Sequence, residues 1–155
     1  NPAPLDIEVK PAMGFQFGMF YSYRFESFRL RILGQLKTLR VKNRDAGSNL
    51  QIYSLQYNSP ILFQQLLTER FGYFLGPELS IPINTSSKLN DQDINLDFSP
   101  VVTSAMVGLT YKLTDKLAID LYYSHPMNEV AENIKVQTIG FQFSAYFERQ
   151  KKRFR

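Results

Sequence analysis

The chain has no cysteine, no tryptophan, a single histidine and no apolar run long enough for a membrane-spanning helix. Without cysteine there is no disulfide and no thiolate metal site, a usage compatible with an outer membrane, a periplasm or a cytosol. No zinc spacing and no phosphate-binding glycine loop occurs. A spanning helix needs about 18–20 consecutive apolar residues, and the absence of any such run, with a mean hydropathy of −0.24, excludes one. It does not exclude a membrane barrel, whose strands conceal their hydrophobicity by alternation. The opening NPAPLDIEVKP lacks a basic n-region and an apolar h-region, so any signal peptide was removed or never present.

What is present leans toward β structure. The 155 residues amount to one domain and include 13 Phe and 9 Tyr, with Gly and Pro between aromatic and branched stretches. In MGFQFGMFYSYRF (13–25) every odd position is large and apolar or aromatic, among them Phe15, Phe17, Met19 and Tyr21. The even positions are mostly small or polar and include Arg24, with Phe20 as the one bulky exception.

The same period of two marks about seven long segments and predicts an all-β chain. Segment two, about 28–42, sets Phe28, Leu30, Ile32 and Leu36 against Arg29, Arg31, Gln35 and Lys37. Segments three and four run over about 50–67 and 72–83, the latter with Glu78 on its polar face. Segment five, about 96–113, places Val107, Leu109 and Tyr111 opposite Gly108, Thr110 and Lys112. Segment six sets Leu117, Ile119, Leu121 and Tyr123 against Ala118, Asp120, Tyr122 and Ser124. The last, about 134–148, sets Ile139, Phe141, Phe143 and Phe147 against Gly140, Gln142, Ser144 and Glu148.

Short connections at Glu26-Ser27, 68–70 and 114–116 alternate with longer polar ones at 43–49, 84–93 and 125–133. That alternation is the loop pattern of an up-and-down membrane barrel. The opening stretch, at about 3.3 Å per residue, is roughly 40 Å long, enough for a tilted strand to cross a bilayer. In a soluble barrel the apolar face would have to fill the interior and would overfill it. Turned outward, Phe15, Phe17, Met19, Tyr21, Leu30, Ile32, Val107, Leu109, Ile119, Leu121, Phe141 and Phe143 meet lipid. The opposite register would put Arg29, Arg31 and Lys37 into lipid at about 2–4 kcal/mol each near the midplane. Arg24, Arg29, Arg31, Lys37 and Lys112 are therefore expected inside with Glu26, Glu78, Asp120 and Glu148, as a structural plug of paired charges. Tyr21, Tyr23, Tyr53, Tyr57, Tyr73, Tyr111 and Tyr123 lie toward segment ends, as an aromatic girdle would.

The expected fold is an antiparallel up-and-down transmembrane β-barrel of about eight strands, seven of them visible here. Seven is odd, and bacterial single-chain barrels have even counts. One more strand is thus expected ahead of residue 12, and since Leu5, Ile7 and Val9 alternate but Pro2, Pro4 and Pro11 leave too few residues to cross, it is expected upstream of residue 1. A ring closed by residues 1–155 alone would count against it. The domain reading is residues 1–11 as a leading segment, 12–148 as the barrel and 149–155 as a basic periplasmic tail.

The order KPAMGFQFGMFYSYRF, FRLRILGQLK, NSPILFQQLL, FGYFLGPELS, DFSPVVTSAMVGLTYKLTDKLAIDLYYSH and GFQFSAYF resembles the PorT-like outer-membrane β-barrel family of Bacteroidetes-type bacteria. The resemblance covers about residues 11–147 and is most specific at GYFLGPELS (72–80) and from Asp97 to His125. It implies an eight-stranded barrel beginning one strand earlier and, for some members, a part in type IX protein secretion and gliding. The strand residues carry over as architecture only.

Other chemistry is thinly represented. Ser124 and His125 are adjacent, but neighbours in a strand point to opposite faces and cannot form a nucleophile–base pair. Asp91, Asp93 and Asp97 with Asn90 and Asn95 lack the glycine and terminal glutamate of a calcium-binding EF-hand and suit a solvated acidic loop better. The tail with Arg149, Lys151, Lys152 and Arg153 is either a disordered positive end or a docking segment for a periplasmic partner. The favoured expectation is a non-enzymatic outer-membrane anchor or accessory subunit of a secretion machine. It would contact lipid and protein partners, with no nucleic acid, cofactor or metal. Its competitors are a soluble lipocalin-like carrier of a small apolar ligand and, more weakly, an outer-membrane enzyme at the outer rim.

Overall fold

The computed structural model describes residues 12–25, 27–45, 48–131 and 134–145. The strands are β1 (Ala12–Arg24), β2 (Arg29–Asp45), β3 (Ser48–Leu66), β4 (Phe71–Leu89), β5 (Gln92–Ile94), β6 (Val102–Lys112), β7 (Leu117–Pro126) and β8 (Thr138–Ala145). They form one sheet in the order β3-β2-β1-β8-β7-β6-β4-β5, and an additional β3–β4 pairing closes its seven long strands into a ring. The three-residue β5 pairs with β4 over Ser87–Leu89, beyond the Phe71–Ser80 stretch that pairs with β6.

Every strand pair is antiparallel except one: β1 and β8 run parallel, with Ala12–Gln16 against Thr138–Gln142. An up-and-down ring with an odd number of strands must bring its first and last strands together in the same direction. The ring among the described residues therefore closes through one parallel seam, where an all-antiparallel closure was expected. The parallel seam is short, five register pairs against twelve between β1 and β2.

The ring has a short side and a tall side. β6, β7 and β8 span 11, 10 and 8 residues, whereas β2, β3 and β4 span 17, 19 and 19. Two of the expected polar loops are consequently strand. Most of 43–49 belongs to β2 and β3, and 84–93 is the end of β4, a two-residue turn and the start of β5. Asn90 and Asp91 make that turn with φ of 51° and 64°, the left-handed pair a tight hairpin requires and which Asn and Asp tolerate. The long connections are instead 95–101 and 127–137. Pro82, which cannot donate to a ladder, lies beside the register shift at Leu55/Gln56.

At the opposite end the connections are tight, as expected. Thr68 Oγ1 accepts from the backbone N–H groups of Arg70 and Phe71, and Thr114 Oγ1 likewise from Lys116 and Leu117. In both turns a threonine hydroxyl satisfies N–H groups that no strand reaches.

Burial alternates along the strands. The inward residues form two apolar clusters. Phe20, Leu33, Leu62, Phe74, Met106, Ala118 and Tyr122 fill the middle of the ring toward the short turns. Leu39, Val41, Leu50, Ile52 and Val102 fill the long-loop end, where Val130, Ala131, Ile134 and Val136 fold in from the 127–137 connection. Gly108 leaves the room that Phe74 occupies, since a Cβ there would collide with the ring of Phe74 and the carbonyl of Leu121.

Candidate functional site

Alternation fixes which side chains enter the ring, and pairing register fixes which of them meet. On β2, Arg31 and Lys37 face inward and are 0% and 3% exposed; on β4 and β7, Glu78 and Asp120 are both 0% exposed. Charges this deep require partners, and the ring provides two separate nodes.

In the first node Arg31 Nη2 donates to Asp120 Oδ2 at 2.7 Å and to Ser144 Oγ at 3.0 Å. Ser144 Oγ donates to the same carboxylate oxygen at 2.8 Å, and Thr110 Oγ1 donates to Oδ1. Gln142 Nε2 donates to Ser144 Oγ at 2.9 Å. The guanidinium also lies between two rings, 4.9 Å from the centroid of Phe20 and 5.5 Å from that of Phe74. Phe20, the bulky exception on the polar face of its segment, is thus one wall of a cation–π sandwich.

In the second node Lys37 Nζ donates to Glu78 Oε1 at 3.2 Å, Asn58 Nδ2 donates to the same oxygen, and Ser124 Oγ donates to Oε2. Lys37 also lies 5.8 Å from the ring centroid of Tyr122. Each node is one cation and one carboxylate with hydroxyl or amide donors completing the carboxylate. Such an arrangement holds charge in place and leaves its carboxylates occupied as acceptors.

Among the remaining residues expected inside, Arg29 is buried and Lys112 half-buried, whereas Arg24 is exposed at the end of β1. The expectation for Arg24 is thereby corrected: it pairs in register with Arg29 at the last step of the β1–β2 ladder, where the strand leaves the packed interior. Glu26, Glu148, Arg149, Lys151, Lys152 and Arg153 lie outside the described residues. The residues expected to face lipid all point outward: Phe15, Phe17, Met19, Tyr21, Ile32, Val107, Leu109, Leu121, Phe141 and Phe143 are exposed, and Leu30 and Ile119 are partly so.

Asn58, Thr110, Ser124, Gln142 and Ser144 complete the nodes, a role the sequence did not assign them: Ser124 was weighed only beside His125. The available signal was their place on the polar face, but their choice of partner depends on register around the ring. Ser124 turns inward to Glu78 while His125 turns outward to Tyr123, with Oη to Nδ1 at 3.2 Å. Among the described residues no group of three His, Cys, Asp or Glu side chains could hold a metal ion. A cleft of about 320 Å³ beside β5 is lined by Thr85, Ser86, Ser87, Asp93, Asn95 and Phe98, among others. No family model, curated protein or solved structure matches the chain.

Proposed function

We propose that this chain is an integral outer-membrane β-barrel that acts without catalysis, as an anchor or accessory subunit of an envelope protein-secretion machine of the type IX kind. The observation that carries the membrane reading is the band of apolar side chains around the outside of the ring. Phe15, Phe17, Met19, Tyr21, Leu36, Tyr57, Leu75, Leu79, Val107, Leu109, Leu121 and Phe141 all belong to it. The eight residue-to-residue steps of β1 from Phe15 to Tyr23 rise about 26 Å, or about 20 Å once tilted, close to the roughly 25 Å apolar height of outer-membrane barrels. A water-soluble protein seldom exposes a contiguous apolar patch beyond a few hundred Å². Tyr23, Phe25, Phe28 and Phe63 add an aromatic cluster at the short-turn rim, with successive centroids 4.9, 4.5 and 6.0 Å apart.

A soluble carrier of an apolar ligand draws less support, because the inward face presents Arg31, Lys37, Glu78 and Asp120 where such a carrier needs an apolar cavity. The secretion role rests on the resemblance of GYFLGPELS and the Asp97–His125 run to the PorT-like family, and assigns partner contacts to the loops and the basic tail.

Membrane fractionation with heat-modifiable mobility on a detergent gel tests the first half. The expected result is a membrane-bound protein whose unheated band migrates differently from the boiled one; a monomer soluble without detergent would overturn the reading. For the second half, a tagged chain should recover envelope proteins in a pull-down, and deletion of 149–155 should reduce that recovery.

A further inference from the structure

On the tall side of the ring, the strands that bury Leu39, Val41, Leu50 and Ile52 in the long-loop cluster present a different chemistry on their outward face. Arg40 and Lys42 on β2 and Lys88 on β4 are exposed there. Register sets them side by side: Lys42 faces Gln51 of β3, Gln51 faces Lys88, and Arg40 faces Tyr53 in the next outward row. With strands about 4.8 Å apart, Lys42 and Lys88 stand about 10 Å from each other, and Arg40 is about 7 Å along the strand from Lys42. Flexible side chains reach one another's vicinity across such spans.

The outward positions toward the middle of the same strands are apolar, at Leu36, Tyr57, Ile81 and Ile83. A mixed row of Thr38, Leu55 and Asn84 separates that apolar row from Arg40, which shares the next row with Tyr53 and Ser86, and Lys42 and Lys88 lie one row further out. Asp93 lies 3.7 Å from Lys88, but both side chains are well exposed, a weak pairing that an incoming anion can replace.

We infer that Arg40, Lys42 and Lys88 bind the phosphate groups of an anionic lipid headgroup at the long-loop edge of the apolar band. The inference rests on the membrane reading above. Three cations on a sheet surface backed by a packed core suit a multiply charged headgroup, and their place beside the band puts that headgroup above acyl chains the band would contact.

The test uses the full chain refolded in neutral detergent micelles, its fold checked by heat-modifiable mobility. Lipid A carrying both phosphates, its dephosphorylated form and inorganic phosphate are titrated separately, and bound molecules are read by native mass spectrometry. The phosphorylated lipid should bind the unaltered chain more tightly than the dephosphorylated one. The triple substitution Arg40→Gln, Lys42→Gln, Lys88→Gln should remove that preference, with about fivefold weaker binding per charge removed. Arg70→Gln with Lys116→Gln, at the short-turn end, should leave it intact. Equal binding of the two lipids, an unaffected triple variant, or inorganic phosphate binding as tightly as the lipid would each overturn the inference. A chain that folds and enters neutral vesicles yet shows no preference overturns this inference alone; one that cannot enter them at all overturns the membrane reading as well.

Discussion

In β7 the side chains of Ala118, Asp120, Tyr122 and Ser124 turn into the ring and are at most 2% exposed, whereas Leu121, one residue from Asp120, is 40% exposed. Adjacent residues thus experience opposite surroundings, and the apolar ones lie on the side a water-soluble barrel would make polar. Inside, charge is tolerated because Arg31 and hydroxyl donors surround the Asp120 carboxylate. Outside, Leu121 is flanked in register by Leu109 and Phe141, so the cost of placing a charge there depends on what surrounds the ring.

The largest expected effect comes from breaking the inner half of that contrast. Asp120→Ala leaves Arg31 buried without its carboxylate and strips the acceptor from Thr110 and Ser144. A loss of about 3–5 kcal/mol in unfolding free energy is expected from urea titration of the refolded protein. Replacing both members, Arg31→Met with Asp120→Leu, should recover much of that loss, because two well-packed apolar groups need no counter-charge. A double variant as unstable as the single one would mean that the Phe20–Arg31–Phe74 packing matters more than the ion pair.

The outer half is tested one residue away. Leu121→Arg should cost about 2–4 kcal/mol in a bilayer, if that position lies near its midplane. In a soluble protein the same exposed substitution would change stability by less than about 0.5 kcal/mol. Measuring it in vesicles therefore separates lipid from water on the outer face directly.

Below these lies the second node. Glu78→Gln keeps the shape and most of the hydrogen-bonding capacity but removes the charge facing Lys37. A loss of about 2 kcal/mol is expected, smaller than for Asp120→Ala because the amide oxygen still accepts from Lys37 and Asn58, and the Ser124 hydroxyl, which donates to the other carboxylate oxygen, can turn to accept from the new amide N–H. A loss equal to that of Asp120→Ala would show that charge, more than hydrogen bonding, sets the stability of both nodes.

The division between the two faces was legible in the sequence because strand alternation depends only on local order. Arg31, Lys37, Glu78 and Asp120 could be assigned to one face from their neighbours alone. Which of them pair could not, since Arg31 and Asp120 are 89 residues apart and meet only through register accumulated around the ring. The role of Phe20 was illegible for the same reason: its use is defined by a guanidinium on β2 and a second ring on β4. The taller side of the ring was misread because polar residues near 43–49 and 84–93 signal loops when strands are assumed to end at the apolar band. There the ladder continues past it, and Asn90-Asp91 provides the turn.

The smallest expected effect sets an exposed ion pair against the buried ones. Lys88 Nζ and Asp93 Oδ1 are 3.7 Å apart with side chains 52% and 86% exposed, whereas the Arg31–Asp120 pair is closed at 2.7 Å and shielded. Water already solvates both members of the outer pair, so Asp93→Asn should change stability by less than about 0.5 kcal/mol. The hairpin does not depend on it, because backbone pairing of Ser87–Leu89 with Gln92–Ile94 and the Ser87 Oγ donation to the Ile94 carbonyl at 2.6 Å persist. Removing that carboxylate should instead act through charge, freeing Lys88 for an anion and strengthening retention of the phosphorylated lipid in the same micelle assay. Weaker retention from Asp93→Asn would mean that the carboxylate positions Lys88 for the headgroup, which would make this exposed pair part of the binding surface.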